Sequence, residues 1–186
     1  CFLDDNYWKL YLSGLGNTLL ITFFALIIGV VIGAVIAIIR TTYDNTYKEK
    51  RKGAGKVVLW FFNLIAKVYL TVIRGTPVVV QIMIIFFIVF QSSNAKIPIA
   101  ALAFGINSGA YVAEIFRSGI MSIDAGQMEA GRSLGFNYIQ TMWFVIIPQA
   151  FKNVLPTLGN EFIVLLKETA VCGYIGLMDL TRAGDS

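Results

Sequence analysis

The sequence predicts an all-α fold, a polytopic bundle of helices that crosses a lipid bilayer about four times. Three observations predict it. Hydrophobic residues make up 57% of the 186 and charged ones only 14%, a balance that the core of one soluble domain could not absorb. From Leu15 to Ile39 the chain runs 25 residues without a charge, enough for a helix to span a hydrocarbon layer of ~30 Å. A short polar segment punctuated by glycine, Gln127–Gly135, stands between two apolar stretches, so a helix unfit for lipid is held by helices that belong in it. Residues 1–186 read as a single membrane domain.

Each element follows from the order of apolar and polar runs. Leu15–Ile39 is the first crossing, and Arg40 ends it. Gly29 and Gly33 within it form a small-xxx-small pair that lets another helix approach closely, by ordinary packing or in a specific dimer. Arg40–Lys56 then gathers Arg40, Lys48, Lys50, Arg51, Lys52 and Lys56 against Asp44 and Glu49. Such a loop stays cytoplasmic, which puts the amino terminus outside, and a juxtamembrane position explains the cations without a nucleic-acid partner. The next apolar stretch, Val57–Gln91, is too long for one simple crossing and is interrupted by Lys67 and by Arg74-Gly75-Thr76-Pro77. Pro77 lacks a backbone donor and biases Thr76 away from helical dihedrals. The chain is expected to break there, with an amphipathic helix lying in the interface before the break and a crossing after it.

An outer loop at Ser92–Ile97 turns the chain back, and Pro98–Gly119 is the third crossing. Asn107, Tyr111 and Glu114 stand at i, i+4 and i+7 and share one helix face. A carboxylate at membrane depth is costly unless it faces protein or a watery cavity. Glu114 is therefore either a functional group or the structural partner of Arg117 or Lys67. After the polar helix, Thr141–Lys167 reads as a fourth, outward-going crossing, bent by Pro148 and Pro156. Asn153, Thr157, Asn160 and Glu161 fall near one of its faces, which must line an interface or a pathway rather than lipid. The other reading of its charges is an ion pair of Lys167 with Glu161 or Glu168.

What is missing narrows the function further. There is no histidine, and the two cysteines, Cys1 and Cys172, are too far apart in sequence for a metal or redox motif. No phosphate loop of the form G-x-x-x-x-G-K-[ST], no G-x-S-x-G elbow and no H-E-x-x-H occurs, so the chain is not expected to hydrolyse ATP or to act as an enzyme by itself. Transport and a purely structural membrane scaffold are the classes left, and the scaffold leaves Glu114 and Glu161 unexplained.

Several segments resemble one family in the right order. Glu129, Ala130 and Gly135 match the E-A-A-x-x-x-G loop of the membrane subunits of ATP-binding-cassette importers, with Gly131 in place of the second alanine. Ile147-Pro148 falls at that family's apolar-proline step. Arg74-Gly75-Thr76-Pro77 with Gln81 resembles the R-G-T-P-x-x-x-Q signature of the polar amino-acid uptake branch, which includes histidine, glutamine and arginine permeases. Gly109–Ile120 looks like G-A-Y-x-x-E-x-x-R-x-G-I, Leu166-Lys167-Glu168-Thr169 like L-K-[DE]-[ST], and Gly14, Asn17 and Thr18 extend the pattern into the first helix.

The resemblance implies a permease domain of the binding-protein-dependent importer type in a bacterial cytoplasmic membrane. Its coupling loop lies at about 119–140, and its short helix opens with Glu129, Ala130 and Gly131. Glu129, Ala130, Gly131, Arg132, Leu134 and Gly135 would contact an ATPase subunit that carries ATP and Mg, with no cofactor on this chain. The other implied partners are a second permease, identical or paralogous, and an extracellular substrate-binding protein. Transport would proceed by alternating access. A zwitterionic amino acid needs an acceptor for its ammonium group and donors for its carboxylate. Glu114 and Glu161 are the candidate acceptors, Asn107, Asn160 and backbone amides freed near the broken helices the candidate donors, and Tyr111 is a further candidate contact. The family pattern also implies one further crossing that Gly173–Ser186 is too short and polar to supply, so the chain reads as a fragment. An ATP-independent channel or secondary carrier is the competing class, and it leaves the polar helix unexplained.

Overall fold

The computed structural model describes residues 7–48, 54–93, 95–177 and 179–181, and among them there is no strand. The chain winds into α1 (Tyr7–Lys48), α2 (Ala54–Gly75), α3 (Val78–Ile84), α4 (Lys96–Met121), α5 (Ala125–Ser133), α6 (Tyr138–Thr141) and α7 (Ile147–Glu168). A π-helical turn, Ile85–Val89, prolongs α3, and another, Met142–Ile146, joins α6 to α7. A 3-10 turn, Thr169–Ile175, follows α7. Three helices among the described residues are long and apolar enough to cross a membrane: Trp8–Asp44, Gly55–Gly75 and Lys96–Met121.

α1 and α4 are the central pair, and small residues set their approach. A Cβ on Gly29 would meet Ser108 Oγ at 2.9 Å, one on Gly33 the Val112 side chain at 2.7 Å, and one on Gly105 the Ile28 side chain at 2.6 Å. The two helices therefore interlock through reciprocal glycines, and the Gly29/Gly33 pair serves packing within the chain. Around this seam lie two apolar clusters. Ile21, Ala25, Ile82, Phe104 and Leu165 form one, closed by Cys172 and Ile175 of the 3-10 turn. Ile36, Ala66, Leu70, Ala110 and Ala113 form the other. On the opposite side of α1, Leu19, Phe23, Ile27, Val31, Val35 and Ile38 are exposed. Their spacing of three or four residues makes a continuous apolar stripe suited to acyl chains.

The structure moves several expected boundaries. α1 does not stop at Arg40 but continues to Lys48, so the first part of the expected cytoplasmic loop is helical, while Lys50, Arg51 and Lys52 lie outside the described residues. α2 ends just before Pro77 as expected. It is nonetheless long and apolar enough to cross, whereas the helix after the break, Val78–Val89, is not. Its 12 residues reach about 18 Å, less than the ~30 Å of a hydrocarbon layer. Tyr138–Glu168 runs without interruption through α6, the π turn and α7. Pro148 enters in the first turn of α7, where a missing N–H is tolerated, and the preceding π turn absorbs its effect on the ladder. Its many polar residues keep this helix out of the apolar set.

α5 also begins earlier than the motif implies. Asp124 caps it by accepting from the Gly126 N–H at 2.6 Å, so Glu129, Ala130 and Gly131 lie inside the helix and do not open it. Gly135, at φ 86°, closes it. Gly135 N–H donates to Arg132 O at 3.0 Å and Phe136 N–H to Gly131 O at 3.2 Å, the paired bonds of a Schellman cap.

Candidate functional site

The Arg74–Pro77 signature is an elbow held by Gln81. The end of α2 leaves carbonyls without intrahelical donors. Gln81, one turn into α3, folds back and donates Nε2 to Ile73 O at 2.7 Å, Thr76 O at 3.0 Å and Thr76 Oγ1 at 2.7 Å. The spacing from Pro77 to Gln81 is what one helical turn requires. Asn107 completes the arrangement by donating Nδ2 to Gln81 Oε1 at 3.0 Å. One N–H of this buried amide is thus engaged at the elbow.

Glu114 has neither expected partner. Arg74 approaches it at 3.8 Å, with 47% and 34% of the two side chains exposed, and the same guanidinium stacks over Tyr111 at 5.7 Å. Arg117 points to another sector and binds Asp44 of α1 at 3.0 Å. Residues three apart lie about 60° apart on a helix, so Glu114 and Arg117 stand on neighbouring strips and reach different helices, Arg74 of α2 and Asp44 of α1. Glu114 therefore sits with Tyr111 beside a cation, apart from Glu161.

Glu161 is placed differently. It is 8% exposed, and Ser108 Oγ donates to its Oε1 at 2.8 Å. That is its one partner among the described residues, and Lys167, exposed, pairs with neither Glu161 nor Glu168. A carboxylate can accept several hydrogen bonds, so Glu161 keeps acceptor capacity for a cationic donor. Asn160 beside it is exposed, as are Thr157 and Asn153, the last donating Nδ2 to Ser122 Oγ at 3.0 Å. Of the four polar residues expected on one face, Glu161 and Asn153 are hydrogen-bonded to Ser108 and Ser122, and only Glu161 is buried. Ser108, the residue that holds Glu161, was not among the sequence candidates. Its position beside Asn107 in a small-residue run was the only signal.

The third group is α5. Glu129, Ala130, Arg132, Leu134 and Gly135 are exposed, Leu134 to 78%. Gly131 is the buried member, and a Cβ there would strike Cγ2 of Thr141, at the junction of α6 with the long helix. Gln149 of α7 also reaches Gln127 at 3.4 Å. The helix thus shows one face to solvent and rests the other on the helix that carries Glu161. Beyond α7, burial and then the Asp179 charge push the Cys172 thiol up to about 12.

Residues 54–185 match the family described as binding-protein-dependent transport system inner membrane component. The L-cystine transport system permease protein TcyB of Bacillus subtilis (strain 168) is 33% identical over 183 residues, 97% of this chain and 71% of that protein. The arginine transport system permease protein ArtQ of the same organism is 39% identical over 174 residues, 92% of this chain and 73% of its own length. Among solved structures, the crystal structure of an amino acid ABC transporter with histidines superimposes with a TM-score of 0.81 at 44% identity, covering 97% of this chain and 78% of that one. The inward-facing MetNI methionine ABC transporter gives 0.76 at 20% identity over 98% and 82%, a likeness of fold alone.

Proposed function

The chain belongs to the family of binding-protein-dependent transport system inner membrane components, and from that premise we propose that it is the membrane-spanning subunit of an ATP-driven importer of polar or charged amino acids. The observation that carries this is α5, a capped polar helix between two apolar segments whose exposed side presents Glu129, Ala130, Arg132 and Leu134. A surface of this kind in a membrane protein serves a soluble partner. Here that partner is an ATPase subunit carrying ATP and Mg, which this chain has no phosphate loop to bind. A second permease and an extracellular binding protein complete the assembly. The loop holding α5 is cytoplasmic and the amino terminus is outside.

The route from ATP to substrate runs through Thr141. A push on α5 is delivered by Gly131 to Thr141, and the helix from there to Glu161 is a lever of 20 residues, about 30 Å. Tilting it moves Glu161 relative to Ser108 on α4. In this reading Glu161 accepts the ammonium group and Asn160 meets the substrate, while Glu114 with Tyr111 braces Arg74 at the elbow. The names of TcyB, ArtQ and the histidine-bound transporter support an amino-acid substrate. Purification of the tagged full-length chain from mild detergent tests the assembly. An ATPase subunit should accompany it, and should be lost when Leu134→Asp is introduced. Recovery of the chain alone in both forms would favour the channel or carrier reading.

A further inference from the structure

We propose that the cleft between α1, α2 and α4 binds the phosphate headgroup of an anionic phospholipid. The cleft holds about 480 Å³ and is lined by Arg40, Lys67, Thr71, Arg74, Gly75 and Glu114. Three cations face one carboxylate, which leaves an excess of two positive charges. Arg74 is engaged by Glu114 at 3.8 Å. Neither Arg40 nor Lys67 has an acidic partner among the described residues, and Arg40 Nε is buried without an acceptor. Guanidinium groups in such settings bind carboxylates or phosphates, and this cleft has no further carboxylate to offer.

Position selects a lipid over a dissolved anion. Arg40 is the residue at which the uncharged run Leu15–Ile39 ends, so it stands at headgroup depth. Lys67 and Arg74 are the only charges between Val57 and Gln91, and both meet Arg40 in the same cleft. Beside them Ile38, Val68 and Val72 are 63%, 55% and 53% exposed, giving acyl chains an apolar wall that leads to the cations. One phosphodiester carries one negative charge and cardiolipin's two carry two, so such headgroups would offset the excess in part or whole, and basic pockets between membrane helices take them. The assignment requires only that the chain lies in a bilayer, and is independent of what it transports.

The test is a titration of the full-length chain, purified from membranes with whichever subunits accompany it, against defined lipids. Thermal unfolding and lipid retention by native mass spectrometry are the readouts. Cardiolipin or phosphatidylglycerol should raise the unfolding midpoint of the wild type, and Arg40→Gln/Lys67→Gln should need on the order of tenfold more lipid for the same shift. Arg40→Lys should respond as the wild type does. Phosphatidylethanolamine and inorganic phosphate should give no comparable shift. If inorganic phosphate matches the lipids, the cleft belongs to a free anion and the lipid assignment fails. It fails equally if the neutralised variant responds like the wild type. Lys67 is exposed, so Lys67→Gln alone carries the comparison should the double variant not purify.

Discussion

Replacing Gly131 by alanine should damage coupling even though alanine is the better helix former. Helix propensity alone favours the change by about 1 kcal/mol. The structure sets a larger opposing cost. The added methyl would run into Cγ2 of Thr141 and come within 2.9 Å of its Oγ1 and 3.2 Å of its Cβ. Thr141 cannot easily turn aside: it is β-branched in a helix, 0% exposed, and its hydroxyl donates to Asn137 O at 3.1 Å. Overpacking of this kind costs about 1–3 kcal/mol, so the net loss reaches about 2 kcal/mol, relieved when α5 tilts off the long helix. The assay is ATP hydrolysed per amino acid imported by the complex in proteoliposomes, read beside thermal stability. Gly131→Ala should raise that ratio several-fold, and a second change, Thr141→Ser, which removes Cγ2 and keeps the hydroxyl, should restore it. Wild-type coupling in Gly131→Ala alone, or no rescue by Thr141→Ser, would refute the lever.

Other outcomes follow from the same contacts. Glu161→Gln should weaken substrate affinity by about 1.5–3 kcal/mol, roughly tenfold to a hundredfold, because a charge-assisted bond to the ammonium group is lost. Glu114→Gln should leave affinity unchanged and cost at most about 1 kcal/mol of stability, its pair with Arg74 being 3.8 Å and half solvated; the reverse pattern in uptake and melting curves would exchange their roles. Gly135→Leu should uncouple transport, since a leucine in the left-handed region costs about 1–2 kcal/mol and opens the Schellman cap, and normal uptake would remove α5 from the mechanism. In intact cells an impermeant thiol reagent should label Ser92→Cys and spare Ser133→Cys. Both variants carry Cys1→Ser, because the amino terminus is expected outside, and Cys172 is 0% exposed with its thiol held up by burial; labelling at position 133 from outside would invert the topology.

How far the sequence reached depended on whether a feature is set locally. The uncharged run Leu15–Ile39, the proline at 77 and the glycine at 135 are read from neighbours in the chain, and the helix, the break and the cap all stand where those residues require them. Gly29 and Gly33 announced a close approach, and α4 supplies it with glycines of its own. Pairings across helices were not legible. Glu114 shares a face with Asn107 and Tyr111, but its ion partner comes from the elbow of α2, and Arg117 finds Asp44, 73 residues away. A helix face can be counted along a sequence. The neighbour it meets depends on how α1 and α2 rotate about α4, which spacing does not encode. Gly131 shows the same limit: the motif marks it as a departure from alanine, and only Thr141, folded against it, gives the reason.

The most direct measurement of the central claim is amino-acid uptake by proteoliposomes that contain this chain with its ATPase subunit, supplied with the external binding protein and a panel of labelled amino acids. Accumulation against a gradient is expected for one or more polar or charged amino acids, only with ATP and Mg on the ATPase side and only with the binding protein outside. Accumulation or equilibration that proceeds at the same rate without ATP would contradict it, and would make the chain a channel or secondary carrier.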